Sequence, residues 1–184
     1  MIIRRKFYHQ PTLKVAQNLL GCFLVRQIGR KIIKARIIET EAYIGEDDLA
    51  SHASKGRTPR TEIMYGQAGY AYVYMIYGMY HCLNIVTEKK DFPAAVLIRS
   101  VEIEGLEKNK TNGPGKLCKI LSIDKKLNGL DLTLGKKIWI EKGLKISAKG
   151  GSTSGGKKLK IKNFKRIGID YAKHCRHYKW RFMI

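Results

Sequence analysis

Apolar residues recur along this chain with two spacings, and the spacing predicts which segments are helices and which are strands. Over residues 12–20 they follow the helical period of three to four, and Gly21 marks the end of that helix. Elsewhere they alternate with polar residues, which is the period of a strand. Alternating or apolar segments predict strands over residues 22–28, 31–44, 70–86 and 94–104. The first two form a hairpin about Gly29-Arg30, and Gly78 breaks the third.

The remaining segments are shorter. Asn112-Gly-Pro-Gly-Lys opens a further helix, because proline is favoured in the first turn. A long functional loop is predicted over residues 45–69 and a flexible basic loop over 148–158, since both are rich in glycine, serine and charge. Short strands are predicted over residues 137–141, 144–147 and 159–162. The pattern predicts one α+β domain spanning residues 1–184: a mainly antiparallel, curved β-sheet with flanking helices and a protruding β-hairpin.

The segment RIIETEAYIGEDDLASHASKGRTPR, residues 36–60, carries the first candidate chemistry. Strand alternation places Glu39, Glu41 and Tyr43 on one face and Ile38, Thr40 and Ala42 on the other. Two carboxylates beside an aromatic ring make a poor core, because burying like charges costs several kcal/mol unless they are paired. They form either a functional site or the solvent-facing side of a half-buried strand, and the pattern alone leaves both open.

Tyrosines dominate the segment GQAGYAYVYMIYGMYHCLNIV, residues 66–86. Tyr70, Tyr72 and Tyr74 alternate with smaller residues, and Tyr77-Gly78 marks a turn. Such tyrosines form ordinary cross-strand pairs in most sheets. In a basic protein they also offer flat surfaces on which a base can stack, and an aromatic hairpin tip can enter a base step.

The charge favours a polyanionic partner. The net charge is +21, and it is unevenly spread: residues 1–106 hold 15 Lys/Arg against 10 Asp/Glu, whereas residues 107–184 hold 21 against 5. Such a field attracts nucleic acid through counterion release. Biased codon usage gives a similar composition, and charge alone does not separate DNA from RNA or from a membrane surface.

Cysteine usage and the chain start predict a cytoplasmic protein. Four separated cysteines without a CxxC pair indicate reduced thiols. The basic first residues are not followed by a long apolar stretch, so no secretory signal is expected, and no apolar run in the given sequence reaches the length of a membrane span. His174-Cys175-x-His177 offers two metal ligands, but a zinc site needs four and the sequence has no obvious second pair, so we interpret the segment as the exposed end of a basic C-terminal helix. Gly151-x4-Gly156-Lys157 lacks the Ser or Thr of a P-loop, since Lys158 follows.

Several motifs together resemble the alkyladenine (3-methyladenine, or methylpurine) DNA glycosylase family. The matching segments are RIIETEAYIGEDDLASH, RTPR, YVYMIYGMYHCLNIV, AVLIR, NGPGKLC, RIGID and WRF. They occur in the family's order over essentially the whole chain, which looks like a bacterial-type member. RTPR is one residue shorter than the corresponding segment of vertebrate members.

The resemblance implies a role for each matching residue. Glu41 corresponds to the general base that activates water, and Arg99 and the Ile167 carbonyl help to hold that water. Tyr43, His52 and Tyr74 correspond to walls of the base pocket, where His52 and the Ala50 backbone bind the flipped base and Asn84 rejects a normal guanine amino group. Tyr77 enters the minor groove, and Met79, Tyr80 and Gly168 are DNA contacts.

The implied function is that of a monofunctional DNA glycosylase of base excision repair. It flips damaged purines such as 3-methyladenine, 7-methylguanine, hypoxanthine or ethenoadenine from double-stranded DNA and hydrolyses the N-glycosidic bond. The expected enzyme needs no cofactor or metal, has no membrane partner and acts as a monomer.

Two other functions fit the residues. A non-catalytic nucleic-acid-binding module uses the same charge and tyrosines without chemistry. A metal-dependent nuclease holds magnesium with Glu39, Glu41, Asp47 and Asp48, because hard cations prefer carboxylates.

Overall fold

The computed structural model describes residues 1–143, 152–154 and 157–184. Its strands are β1 (Phe23–Ile28), β2 (Lys31–Ile44), β3 (Ala71–Ile76), β4 (Tyr80–Val86), β5 (Ala94–Ile103), β6 (Ile138–Glu141), β7 (Ser152–Ser154), β8 (Lys157–Leu159), β9 (Lys162–Phe164) and β10 (Arg181–Met183). Its α-helices are α1 (Arg5–Tyr8), α2 (Thr12–Leu19) and α3 (Pro114–Ile120). Short 3₁₀ helices cover His52–Lys55, Glu62–Tyr65, Lys108–Lys110, Lys125–Leu127 and Lys173–His177.

One curled antiparallel sheet organises the fold. Strands β3, β4, β5, β2, β1 and β6 lie side by side in that order, and β10 pairs with both β2 and β9. Every pairing in it is antiparallel. Helices α2 and α3 cover the main hydrophobic core on one face of this sheet. The predicted α+β class, mainly antiparallel sheet and β3–β4 hairpin are confirmed.

A β-bulge in β2 determines which side chains face the core. It shifts the pairing of β2 with β5 between Ile37 and Thr40. Core side chains therefore occupy odd positions before the bulge and even positions after it, because one extra residue reverses the alternation. The prediction that Ile38 shares a face with Thr40 and Ala42 is wrong, since Ile37 and Ala42 are the residues that pack in the core. After the bulge, Glu39 and Glu41 point away from the main core.

Two C-terminal segments differ from their predictions. Part of the predicted basic loop 148–158 forms the antiparallel strands β7 and β8, while the predicted strand 144–147 lies outside the described residues. The segment 174–177 belongs to a 3₁₀ helix rather than to the exposed end of a C-terminal α-helix. Its Cys175 is fully buried against Ile169 and Ala172. In the part of the chain that the structure describes, no helix is long and apolar enough to cross a membrane.

Candidate active site

A cleft of about 450 Å³ opens beside the sheet, where β2 to β5 meet the loops that follow β2 and β9. This volume lies within the range of ligand pockets, roughly 300–1,000 Å³. Most of the predicted site residues line it: Glu41, Tyr43, Ala50, His52, Tyr74, Tyr77, Asn84, Arg99, Ile167 and Gly168. Met79 and Tyr80 are not in the lining and lie exposed beside it on the β3–β4 hairpin.

Glu41 lies fully buried at the floor of the cleft, on the face that the bulge turns away from the main core. The hydroxyl of Tyr43 donates to its Oε2 at 2.8 Å. The backbone N–H of Ile167 donates to its Oε1 at 3.1 Å. An ionised carboxylate has about four acceptor positions, so these two bonds leave capacity to bind a water molecule.

Glu39 shares this face of the strand but is paired differently. Arg99 Nε lies 3.1 Å from Glu39 Oε1 and 3.6 Å from Glu41 Oε1. Arg181 Nη1 also donates to Glu39 Oε1, at 2.9 Å. Among the described residues, Glu39 is therefore the counter-ion of two arginines, whereas Glu41 has one ion contact, which is longer. The idea that both carboxylates lie on a solvent-facing strand side is wrong, because both are buried.

Burial raises the pKa of Glu41 above its ordinary value. The positive charge of Arg99 and the hydrogen bonds from Tyr43 and Ile167 lower it again, but only in part, and the charge of Glu39 adds to the rise. A general base is most effective when its pKa lies near the working pH. The environment of Glu41 therefore suits a proton acceptor.

Aromatic rings form one wall of the cleft. Tyr72 and Tyr74 have ring centroids 5.2 Å apart, and His52 packs edge-on against Tyr74 at 4.5 Å. The hydroxyl of Tyr72 hydrogen-bonds Nδ1 of His52 at 2.9 Å. Burial, together with the charges of Arg60 and Lys55, lowers the pKa of His52 to about 4. This imidazole is therefore neutral near pH 7, with one nitrogen that donates and one that accepts.

An aromatic turn projects at the cleft's rim. Tyr77 and Gly78 join β3 to β4 with φ angles of 51° and 68°. Two consecutive positive φ angles are typical of a tight hairpin turn, but an aromatic residue rarely adopts them. Tyr77 is nevertheless 86% exposed. A strained, exposed aromatic side chain at a cleft suggests a functional contact.

Sequence reasoning missed several residues of the cleft. Arg60 places its guanidinium 5.2 Å from the centroid of Tyr74, and the hydroxyl of Tyr171 donates to the carbonyl of Ala50 at 3.4 Å. Tyr72 belonged to the tyrosine alternation, which was the available signal for it. No local pattern identified Tyr171, because it reaches the cleft from the far end of the chain.

The four carboxylates of the nuclease hypothesis do not form a common site. Glu39 is held by arginines, Asp48 pairs with buried Arg166, and Asp47 is exposed. Among residues 1–143 and 160–184, no three His, Cys, Asp or Glu side chains are arranged to hold a metal ion. Two of the donors proposed for magnesium, Glu39 and Asp48, are thus committed to arginines.

The positive charge and the aromatic wall are both suited to binding nucleic acid, and the buried Glu41 adds a proton acceptor to that surface. The sequence profile described as methylpurine-DNA glycosylase (MPG) matches residues 6–184. The chain belongs to this family of DNA glycosylases, as the motifs predicted.

Similar proteins support the assignment over the full chain. A protein of Methanocella arvoryzae is 47% identical and is matched over 98% of this chain and 91% of its own length. Proteins of Alkaliphilus oremlandii and Clostridium perfringens are 46% and 44% identical, over 100% of this chain and 96% of their own lengths. Their names assign them provisionally to the 3-methyladenine DNA glycosylases. Membership of an enzyme family argues against the non-catalytic binding module.

Proposed function

We propose that this enzyme is a monofunctional DNA glycosylase that flips a damaged purine out of duplex DNA and hydrolyses its N-glycosidic bond. The observation that carries the proposal is the position of Glu41, buried at the floor of an aromatic cleft and held by Tyr43 and Ile167. The proposed lesions are 3-methyladenine, 7-methylguanine, hypoxanthine and ethenoadenine. The names of the relatives favour the first of these.

The proposed reaction follows from the chemistry of the bond. The glycosidic bond breaks, its electron pair goes to the base, and positive charge develops on the sugar. The Glu41 carboxylate stabilises that charge and takes a proton from a water molecule, whose oxygen bonds to the anomeric carbon. Arg99 and the Ile167 carbonyl help to hold the water. A cationic alkylpurine leaves as a neutral base, whereas hypoxanthine must gain a proton to leave as one.

The aromatic wall receives the base. Extruding a base costs a few kcal/mol, and stacking returns roughly 1–3 kcal/mol for each ring. Tyr43, His52 and Tyr74 enclose the purine, and Asn84 discriminates against the amino group of normal guanine. Tyr77 fills the vacated space in the duplex, with Met79, Tyr80 and Gly168 contacting DNA beside it.

The enzyme's setting is part of the proposal. It acts on its own as a monomer, in the cytoplasm, with residues 1–184 forming one glycosylase domain. None of the described residues that line the cleft is a lysine, so hydrolysis rather than amine attack is the proposed chemistry. The product is then an abasic site in an unbroken strand.

Base release in EDTA tests the proposed function. Duplex oligonucleotides with one damaged purine should lose that base at the same rate with and without EDTA, because Glu41 is the single acidic side chain among the described residues that line the cleft. Strand breaks should appear only after alkali. An undamaged duplex is the control. The proposal is contradicted if the enzyme releases none of the four lesions, or if EDTA abolishes its activity.

The pH profile tests the role of Glu41. The base must be ionised to act, so kcat should rise with pH on the acidic side of its profile, which we call the acid limb. Because burial raises the pKa of Glu41, the midpoint of this limb should lie at a higher pH than the pKa of an ordinary carboxyl group. Tyr43→Phe removes a hydrogen bond that lowers this pKa, so the limb should move to higher pH. Single-turnover release of 7-methylguanine between about pH 4 and 9 measures it, because this lesion already carries its charge.

The matched control is Tyr65→Phe. Tyr65 donates to Glu46 at 2.5 Å, which is the same kind of contact away from the cleft lining. This variant should leave the acid limb in place. If the acid limb of kcat does not shift in pH in Tyr43→Phe, or shifts equally in Tyr43→Phe and Tyr65→Phe, the result is evidence against Glu41 as the base.

A further inference from the structure

Asp48 and Arg166 form an ion pair behind the cleft that none of the roles above uses. Their side chains are 1% and 0% exposed. Two parallel contacts join them, with Nη1 at 2.5 Å from Oδ2 and Nη2 at 2.8 Å from Oδ1. A bidentate pair of this kind fixes orientation as well as distance.

Arg166 connects this pair to the residues around Glu41. Its Nη1 also donates to the carbonyl of Ala42 at 2.9 Å, on the strand that carries Glu41. Its guanidinium lies 4.8 Å from the ring centroid of Tyr43. It directly precedes Ile167, whose N–H is bonded to Glu41. The guanidinium thus fixes both neighbours from which Glu41 accepts hydrogen bonds.

Asp48 connects the same pair to the wall of the cleft. Its Oδ2 accepts from the N–H of Ile44 at 3.2 Å, and its Oδ1 accepts from the N–H of Ala50 at 3.1 Å. Ala50 lines the cleft and directly precedes the turn that carries His52. One carboxylate therefore ties the end of β2 to the loop that faces the base.

We propose that Asp48 and Arg166 are positioning residues, which hold the Ile167 amide against Glu41 and the Ala50 loop against the base. The inference rests on the proposed function. Stability alone does not account for the pair, because buried ion pairs often add little over well-packed neutral replacements. A role in catalysis does account for the pair, because misplacing a catalytic group by about 1 Å can lower the rate of the reaction by about 100-fold.

The test is the double variant Asp48→Asn/Arg166→Gln, which removes one charge of each sign. We expect kcat for 7-methylguanine release to fall by about 10- to 100-fold, while KM stays within about threefold. The acid limb of kcat should also move to higher pH, because a loosened Ile167 N–H no longer lowers the pKa of Glu41. The titratable and charged groups that face Glu41 are Glu39, Tyr43, Cys82, Arg99, Arg166 and Arg181, and only Arg166 among them is changed.

Arg5→Gln/Asp131→Asn is the matched control. This pair also joins an arginine to an aspartate, with the guanidinium 5.3 Å from the ring centroid of Tyr70, but it does not line the cleft. It should keep the parent kcat and pH profile even if it melts at a lower temperature. A merely structural role for Asp48 and Arg166 predicts the same behaviour for their double variant, and that result would overturn the inference.

Arg166→Lys keeps the test decisive if the double variant does not fold. Lysine retains the charge but not the planar fork, so a lower kcat with a shifted acid limb is expected. If this variant keeps the kcat and the pH profile of the parent enzyme, the inference is overturned. The parent enzyme and Glu41→Gln are measured in the same series. If the parent releases no base, or Glu41→Gln remains active, the proposed function itself has failed. If both behave as expected, the results for the Asp48 and Arg166 variants test the positioning role separately from the proposed function.

Discussion

Glu41→Gln should lower kcat for release of hypoxanthine or 3-methyladenine by at least about 100-fold, because a general base contributes about 10²–10⁴-fold in rate. Glutamine keeps the shape of glutamate, but it takes no proton from water and carries no charge to stabilise the developing cation on the sugar. Single-turnover assays with duplex substrates measure this fall directly. Affinity for the same duplex, measured by fluorescence anisotropy, should stay within a few-fold of the parent.

Glu39→Gln is the matched comparison, because it makes the same change two residues earlier on the same strand face. Glu39 is the counter-ion of Arg99 and Arg181, so its loss should disturb the site less than the loss of Glu41. The fall for Glu41→Gln should be at least about tenfold larger. Equal losses in the two variants would show that Glu41 has no special part in the chemistry.

Thermal unfolding separates a catalytic defect from a folding defect. Burial raises the pKa of Glu41, so the folded state binds its proton more tightly than the unfolded state does. The contribution of Glu41 to the free energy of unfolding is therefore fully present below the ordinary carboxyl pKa, and it is lost as the pH rises through the raised pKa of the folded state. Glutamine does not ionise, so Glu41→Gln should raise Tm at pH 7, by about 2–4 °C for each kcal/mol gained. This gain should shrink as the pH falls.

Tyr77→Ala should slow release of a lesion from duplex DNA by about 5- to 150-fold, which corresponds to the loss of roughly 1–3 kcal/mol of base stacking. The exposed ring no longer fills the space that the everted nucleotide leaves, so the base returns to the stack more readily. The same lesion in a single strand, which has no vacated space to fill, should be much less sensitive. Single-turnover rates on matched duplex and single-stranded oligonucleotides make this comparison.

Two further variants isolate the ring from the turn. Tyr77→Phe keeps the ring and should remain close to the parent. Tyr77→Gly removes the ring and relieves the strain of a φ of 51°, so it should be as slow on duplex DNA as Tyr77→Ala while the hairpin remains intact. If Tyr77→Ala processes the duplex lesion as fast as the parent, Tyr77 does not act as a wedge.

Local pattern determined much of the fold. Alternation gave the β1–β2 hairpin, the break at Gly78 and strand β5 to within a residue or so, because side-chain period and turn chemistry are local properties. The motif resemblance led to the residues that gather in the cleft. Local pattern gave the wrong strand face for Ile38. A bulge depends on how β2 pairs with β5, and the alternation of residues within β2 does not reveal it.

The sequence by itself determined the fold class, the family and the identity of Glu41 as the candidate base. Only the tertiary structure showed that Glu41 and Glu39 are paired differently, since this depends on which arginines approach each carboxylate. It alone revealed the pairing of Asp48 with Arg166, which are 118 positions apart in the chain. Contacts at such separation are decided by the packing of the whole sheet and its loops, and no spacing within one segment records them.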